Sequence, residues 1–421
     1  MRLMKNSGIE WIGEIPKVWN INSLSQLFSQ VKNKNTNLQE TNLLSLSYGK
    51  IKRKNIETTD GLLPESFDSY NIIEANDIVL RLTDLQNDHK SLRVGLVTER
   101  GIITSAYLTI RNHSESLAKF LYYYLHAFDI SKGFYGMGAG VRQGLNWDGV
   151  KWLKILSPTI AEQQAIADFL DIQCAHIDSI IEKTRTAIEE YKKLKQSVIT
   201  QAVTKGIRPN REMKDSGIEW IGEIPKEWAV QRIKTIFNLR DERNYLPLEE
   251  VNLISLYTDK GVVQHSDLEK TTGNKASNAD GYKKVYENDI IVNIILCWMG
   301  AIGRSSYQGV TSPAYDIYVP SNTIECRFYH HYFRTKGFSG DCYKRGKGIM
   351  AMRWRTYSDQ FRDIKVVVPP LEEQQEILNY LDEKTAAIDS LIQKKEQLIT
   401  ELEAYKKSLI YEYVTGKKEV V

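Results

Sequence analysis

The chain has 421 residues, 26% of them charged, and a formal net charge of +3. That length allows two or three domains each able to bury its own core, while so small a net charge does not by itself argue for a nucleic-acid partner. Four cysteines (Cys174, Cys297, Cys326, Cys342) with no C-x-x-C spacing indicate neither a disulfide framework nor a zinc site, and an N-terminus without an apolar core, together with a longest apolar stretch (290–302) far shorter than a membrane span, predicts a cytoplasmic chain with no membrane partner.

Residues 4–19 (MKNSGIEWIGEIPKVW) return as 213–228 (MKDSGIEWIGEIPKEW), with only Asn6/Asp215 and Val18/Glu227 changed. A repeat of this period is too long for a solenoid and reads as the duplication of a whole domain plus helix. Two buried strands are expected next, at Asn42–Leu46 and Asn76–Val79, the second opened by an Asn-Asp turn, and both recur, at Asn252–Leu256 and Asn288–Ile291. Thr104–Tyr107 has an echo in Thr311–Tyr315, and Leu117–Phe128 reads as a short helix. Mixed strands and short helices make each domain α+β.

Two long helices follow the two domains. Pro158, Glu162-Gln163-Gln164 and Ile177-Asp178-Ser179 return at Pro369, Glu373-Gln374-Gln375 and Ile388-Asp389-Ser390. From Glu162 to about Lys205 there is neither Pro nor Gly, and apolar residues fall on a heptad. One column is Ile166, Gln173, Ile180, Ala187, Leu194 and the other Leu170, Ile177, Thr184, Tyr191, Val198. In the second copy the columns are Ile377, Lys384, Leu391, Leu398, Tyr405 and Leu381, Ile388, Lys395, Leu402, Leu409. The coinciding polar interruptions, Gln173 with Lys384 and Thr184 with Lys395, fit two readings: they set register, or each seam merely tolerates polarity there. From these columns Ile166, Leu170, Ile177, Ile180, Tyr191, Leu194, Ile377, Leu381, Ile388, Leu391, Leu402 and Tyr405 are the candidate coiled-coil and subunit-interface residues. A helix of some forty residues is ~60 Å long and exceeds the width of a small domain. The expected division is therefore 1–157 (first domain), 158–207 (first helix), 208–368 (linker and second domain) and 369–421 (second helix), with the helices antiparallel as a coiled coil between two pseudo-repeated domains.

The positive charge lies in the divergent segments. Lys+Arg exceed Asp+Glu by 16 to 13 over residues 20–157 and by 20 to 15 over 229–368, and residues 336–365 alone carry eight cations against three anions, interleaved with aromatics. Such a surface suits phosphates and base edges. The candidate DNA-binding residues are Lys50, Lys52, Arg53 and Lys54, with Arg142 and Gln143 of the Gly-rich stretch 136–144, in the first domain. In the second they are Lys344, Arg345, Lys347, Arg353 and Arg355. Arg and Gln are the types that pair bidentately with guanine and adenine. The glycines of 136–144 lack the strand-turn-helix context of a dinucleotide loop and read as a close-backbone turn.

Two divergent domains, each preceded by S-G-I-E-W-I-G-E-I-P-K-x-W and followed by a P-x-x-x-E-Q-Q helix with a central Ile-Asp, resemble the specificity subunit of type I restriction-modification systems over the whole chain. The resemblance implies two target-recognition domains, each reading half of a bipartite site in double-stranded DNA. It implies helices that space them and dock two modification (methyltransferase) subunits, with restriction subunits added in the full complex. No catalytic role is expected, since the one Pro-Pro, Pro369-Pro370, lacks the polar holder and aromatic lid with which a base methyltransferase grips a flipped base. A coiled-coil scaffold that binds only protein is the competing reading.

Overall fold

The computed structural model describes residues 2–56, 66–88, 90–137, 144–265, 278–348 and 354–420. The chain forms two compact units, Met1–Arg185 with Glu396–Val421, and Thr186–Lys395, so each unit takes part of both long helices.

In the first unit a four-stranded antiparallel sheet runs in the order Phe28–Gln30, Leu108–Asn112, Ile78–Leu80, Val94–Leu96. Its centre is Ile78, Val79 and Leu80, all fully buried. The expected Asn-Asp turn opens that strand: Asn76 has φ +73°, and the Asp77 carboxylate accepts a bond from Glu74 N at 2.8 Å and a bidentate pair from Arg111. The helix Ala118–Ile130 covers the sheet with Phe120, Leu121, Tyr124 and Leu125. Around it stand the hairpins Met4–Asn6/Glu14–Pro16 and Leu44–Ser47/Lys50–Arg53.

The second unit repeats this plan. Its sheet order is Phe237–Arg240, Tyr315–Pro320, Ile290–Asn293, Ile302–Arg304, and Asn288 (φ +71°) with Asp289 forms the same turn. The fold is thus α+β, twice over, with two long helices, Ile160–Lys205 and Leu371–Val414.

What the near-identical blocks do is visible at the start of each helix. In the first unit the buried indole of Trp19 donates to Glu162 at 3.3 Å, and Arg2 pairs with the same carboxylate. Gln163 accepts from Leu117 N at 2.7 Å and donates to Pro158 O at 3.0 Å. In the second unit Trp228 donates to Glu373 at 3.0 Å and Arg211 pairs with it. Gln374 accepts from Glu325 N and donates to Pro369 O, both at 2.9 Å. Glu373 and Gln374 are buried, and a buried carboxylate survives only with such partners. The E-Q-Q and E-W-I-G-E-I-P-K-x-W blocks therefore form one clip that fixes a domain to its helix.

The helices run antiparallel within each unit. In the first, Asp178 pairs with Lys406 at 2.6 Å and Arg185 with Glu403 at 3.3 Å. In the second, Lys195 pairs with Asp389 at 2.7 Å and Lys395 lies over the Tyr191 ring at 5.7 Å. Asp178–Lys406 and Asp389–Lys195 are the same pair under the sequence repeat. The seam itself differs from the expected one by a single residue in one column. Leu170, Ile177, Thr184 and Leu381, Ile388, Leu409 are buried as expected. The companion column, however, is Ala167, Cys174, Ile181, Ile188, Lys195, Ala202 in the first helix, and Leu378, Thr385, Ile392, Ile399, Lys406, Tyr413 in the second. Ile166 and Ile377 are also buried, against the domains, whereas Ile180 is half-buried and Leu194, Leu391 and Tyr405 are 48%, 41% and 54% exposed and lie outside the seam. The seam lysines are the reason: Lys195 and Lys406 are matched by Asp389 and Asp178, so the true column looks more polar than its neighbour.

Candidate nucleic-acid interface

In the first unit the candidate cations stand on one hairpin. Leu46 and Ile51 of the two strands pack on the small cluster around Val79 and Ile103, which turns Lys50 and Lys52 outward, while Arg53, on the face of Ile51 at the end of the strand, is exposed as well. Lys50 reaches Asp178 at 3.3 Å while remaining 67% exposed, and Lys52 and Lys54 are exposed. Arg53 donates from Nε to Glu99 at 2.7 Å, and this pairing holds the Glu99 carboxyl below its ordinary range, so Arg53 meets a ligand already half-neutralised. Burial raises the Asp178 carboxyl, but Lys406 and Lys50 outweigh it and keep the group below the usual carboxylate range.

The hairpin forms one wall of an open cleft in this unit. Lys50, Lys52, Lys90, Arg185, Lys406 and Lys407 line it, against the anions Asp178, Glu182 and Glu403. Lys90, Arg185, Lys406 and Lys407 were not among the sequence candidates, because the cleft draws on a hairpin, a loop and both helices. Arg142 and Gln143 lie outside the described residues, as does Arg353. The anchors of their stretches are described: Leu145 N donates to Leu82 O at 2.8 Å, and in the second unit Thr356 N donates to Ile294 O at 2.9 Å. The two stretches thus close on equivalent carbonyls.

The second unit gathers Lys344, Arg345, Lys347 and Arg355 at one place. The helix Lys336–Arg345 ends in the two exposed cations, with Lys344 paired to Glu219 at 2.6 Å. Lys347 and Arg355 then exchange backbone bonds at 2.8 and 3.0 Å, which pairs the two flanks of the stretch. Gly346 allows this turn: a Cβ there would lie 2.3 Å from the Trp354 indole. That indole stacks on Tyr343 (4.9 Å, 21°), and Tyr343 is 50% exposed. Exposed cations beside a stacked aromatic pair offer both phosphate neutralisation and a flat apolar face.

On the long helices the exposed apolar residues Ile172, Leu194, Leu391, Leu398 and Tyr405 remain uncovered. Among the described residues no helix is long and apolar enough to cross a membrane.

Residues 225–401 match the family model of the type I restriction modification DNA specificity domain. A Methanocaldococcus jannaschii chain named as the specificity subunit of type I restriction enzyme MjaX is 25% identical over 436 residues, covering 97% of this chain and 96% of the relative. The MjaVIII specificity subunit of the same organism is 24% identical over 279 residues, 64% of this chain and 63% of its own length. Among solved structures, a chain from a study of complex assembly and conformational transition in a type I R-M system superposes with a TM-score of 0.68 at 13% identity, over 96% of this chain and 99% of that one. The HsdS subunit from Thermoanaerobacter tengcongensis gives 0.55 at 14% identity, over 98% and 100%.

Proposed function

This chain belongs to the family of type I restriction-modification specificity subunits, and on that premise we propose that its two domains each read one half of a bipartite, asymmetric DNA site. The observation that carries the reading is the contrast between repeated and divergent parts. The Trp–Glu clip, the Gln bonds and the Asp–Lys pairs recur residue for residue, whereas the exposed faces differ: a lysine hairpin beside a cleft in one unit, and a cationic turn with a Trp–Tyr stack in the other. A constant frame suits constant partners, and two different surfaces suit two different half-sites. Phosphate contacts from Lys50, Lys52, Lys54, Lys344 and Lys347 would position the duplex, and side chains at base edges would choose sequence.

In this reading the chain supplies no chemistry of its own. Methyl transfer comes from two modification subunits docked on the helices, whose uncovered apolar residues are the natural contact, and restriction subunits complete the complex. The long helices set the spacing of the half-sites.

Genome-wide mapping of methylated bases in cells expressing the chain with its cognate modification subunit tests this. A gapped, asymmetric motif that depends on the chain is expected. A stable complex with no new motif would favour the scaffold reading instead.

A further inference from the structure

The first unit buries a guanidinium completely and uses all of it. Arg93 is 0% exposed. Its Nε donates to Tyr135 Oη at 3.0 Å, Nη1 to the carbonyls of Arg81 and Thr83 at 3.0 and 2.9 Å, and Nη2 to those of Asp84 (3.3 Å) and Asp88 (2.5 Å). All five N–H donors are thereby spent, four of them on the backbone of one loop. Asp129 accepts from Arg93 N at 2.6 Å. Tyr135 also donates to Asp88 O at 3.1 Å, and Leu145 N bonds Leu82 O. The loop that Arg93 holds is therefore tied to both ends of the 136–144 stretch.

The second unit reaches a similar arrangement from an unrelated position. Arg334, at the end of the helix Cys326–Phe333, donates to Gly300 O and Ile302 O at 3.3 and 3.1 Å and to Thr258 O and Asp259 O, both at 3.0 Å. Gly300 O ends the 294–300 loop and Ile302 O opens the next strand, while Thr258 and Asp259 lie in the turn of a neighbouring hairpin, so Arg334 ties the end of that loop to the hairpin. The loop follows the central strand, as loop 81–88 does, and its Ile294 O accepts from Thr356 N. Burying a charge is costly, and a single apolar side chain would fill the space more cheaply. What a guanidinium adds is a fixed backbone path for a loop that leaves the sheet, the rigidity a reading surface needs.

We propose that Arg93 and Arg334 are positioning residues for sequence recognition, each fixing the path of a second base-reading loop in its own domain. The loops differ in chemistry. In the first, Gln86 and Asn87 are exposed, and Asn87 is steadied by a bond from Nδ2 to Asp84 at 2.8 Å; amides of this type read adenine. In the second, Leu296 and Met299 are 37% and 53% exposed and offer apolar contact, as a thymine methyl would take. The inference rests on the DNA-reading function proposed above.

The test maps methylation motifs in cells carrying the full chain with its modification subunit, for wild type, Arg93→Lys, Asn87→Ala and Arg334→Lys. Lysine keeps the charge but brings three donors in place of five. We expect Arg93→Lys and Asn87→Ala to relax the same half-site, with discrimination there falling about tenfold, while the other half and the gap stay as in wild type. Arg334→Lys should relax the opposite half. Uniform loss of methylation with no change of motif in either arginine variant, or an Asn87→Ala motif identical to wild type, would overturn the proposal. Should Arg93→Lys fail to assemble, Asn87→Ala and Arg334→Lys still decide it. A wild-type chain that yields no gapped motif overturns the DNA-reading function itself, and this inference with it.

Discussion

Each long helix ends in a glycine with positive φ, and the two ends make unequal demands. At Gly416 (φ +71°) a Cβ would stand 2.4 Å from Pro16 Cδ and 3.0 Å from the Trp19 indole. Both are ring atoms, and Trp19 is fully buried, so neither can swing aside. At Gly206 (φ +75°) the nearest atoms are Glu373 Oε1 at 3.0 Å, Trp228 at 3.2 Å and Arg211 at 3.3 Å, which a few tenths of an ångström would relieve. Alanine in the left-handed region costs about 1–2 kcal/mol at either site. Overpacking against rigid rings adds about 1–3 kcal/mol at Gly416. Gly416→Ala should therefore lose about 2–5 kcal/mol locally, and Gly206→Ala about 1–2. Hydrogen exchange reads this directly, because 1.4 kcal/mol is about a tenfold change in an opening equilibrium. Amides of residues 11–19 and 409–416 should lose protection by roughly 30-fold or more in Gly416→Ala. In Gly206→Ala, residues 202–206 and 218–228 should lose about tenfold. Unchanged protection at 409–416 in Gly416→Ala would refute the packing argument, and so would a larger effect at Gly206.

Other consequences of the structure are equally direct. Leu378→Ala, at a fully buried seam position, should destabilise its unit by about 2–5 kcal/mol, against less than about 1 for the 41%-exposed Leu391→Ala, as judged by denaturant unfolding; the reverse order would restore the other heptad column. Asp178→Lys should weaken the first unit by about 1 kcal/mol, a modest figure because the pair is partly exposed, and Lys406→Asp in the same chain should recover most of it; no recovery would deny their pairing. Burial, aided by Lys406, holds His126 down at about 4, and burial beside His331 holds His330 at about 3, so the unfolded chain takes up protons at these sites before the folded one. Their contribution to stability is complete above about pH 6.5 and is lost as pH falls from there to about 4 or 3, and replacing His126 with Gln should flatten that acid limb in thermal melts. Lys52→Ala should weaken binding to all DNA sequences alike and lower the salt slope of affinity by about one, whereas a change of motif would make Lys52 a base reader.

The duplication was legible because selection of the clip leaves whole words of sequence unchanged, and the Asn-Asp turns with their buried strands were legible because local chemistry dictates them. The seam was read one residue off. Ile180, Leu194 and Leu391 made a convincing column from composition alone, while Lys195 and Lys406 look wrong in a seam until the aspartates of the facing helix are seen. The repeat held the clue, since Asp178/Asp389 and Lys195/Lys406 are both retained. The lysine hairpin was visible as a run, but the cleft it borders was not, because Lys90, Arg185 and Lys406 are brought to it only by tertiary folding. Nothing in the sequence marks Arg93 or Arg334, since a cation spent on loop carbonyls and a solvated one are written with the same letter.

The central claim is that the two domains read separate halves of one DNA site. Replacing residues 20–157 with the corresponding segment of another specificity subunit, and mapping methylated motifs with the modification subunit present, tests it most directly. The account predicts a new motif in which one half-site has changed while the other half and the gap are kept. A hybrid that folds and assembles but methylates the original motif, or changes both halves together, would contradict it.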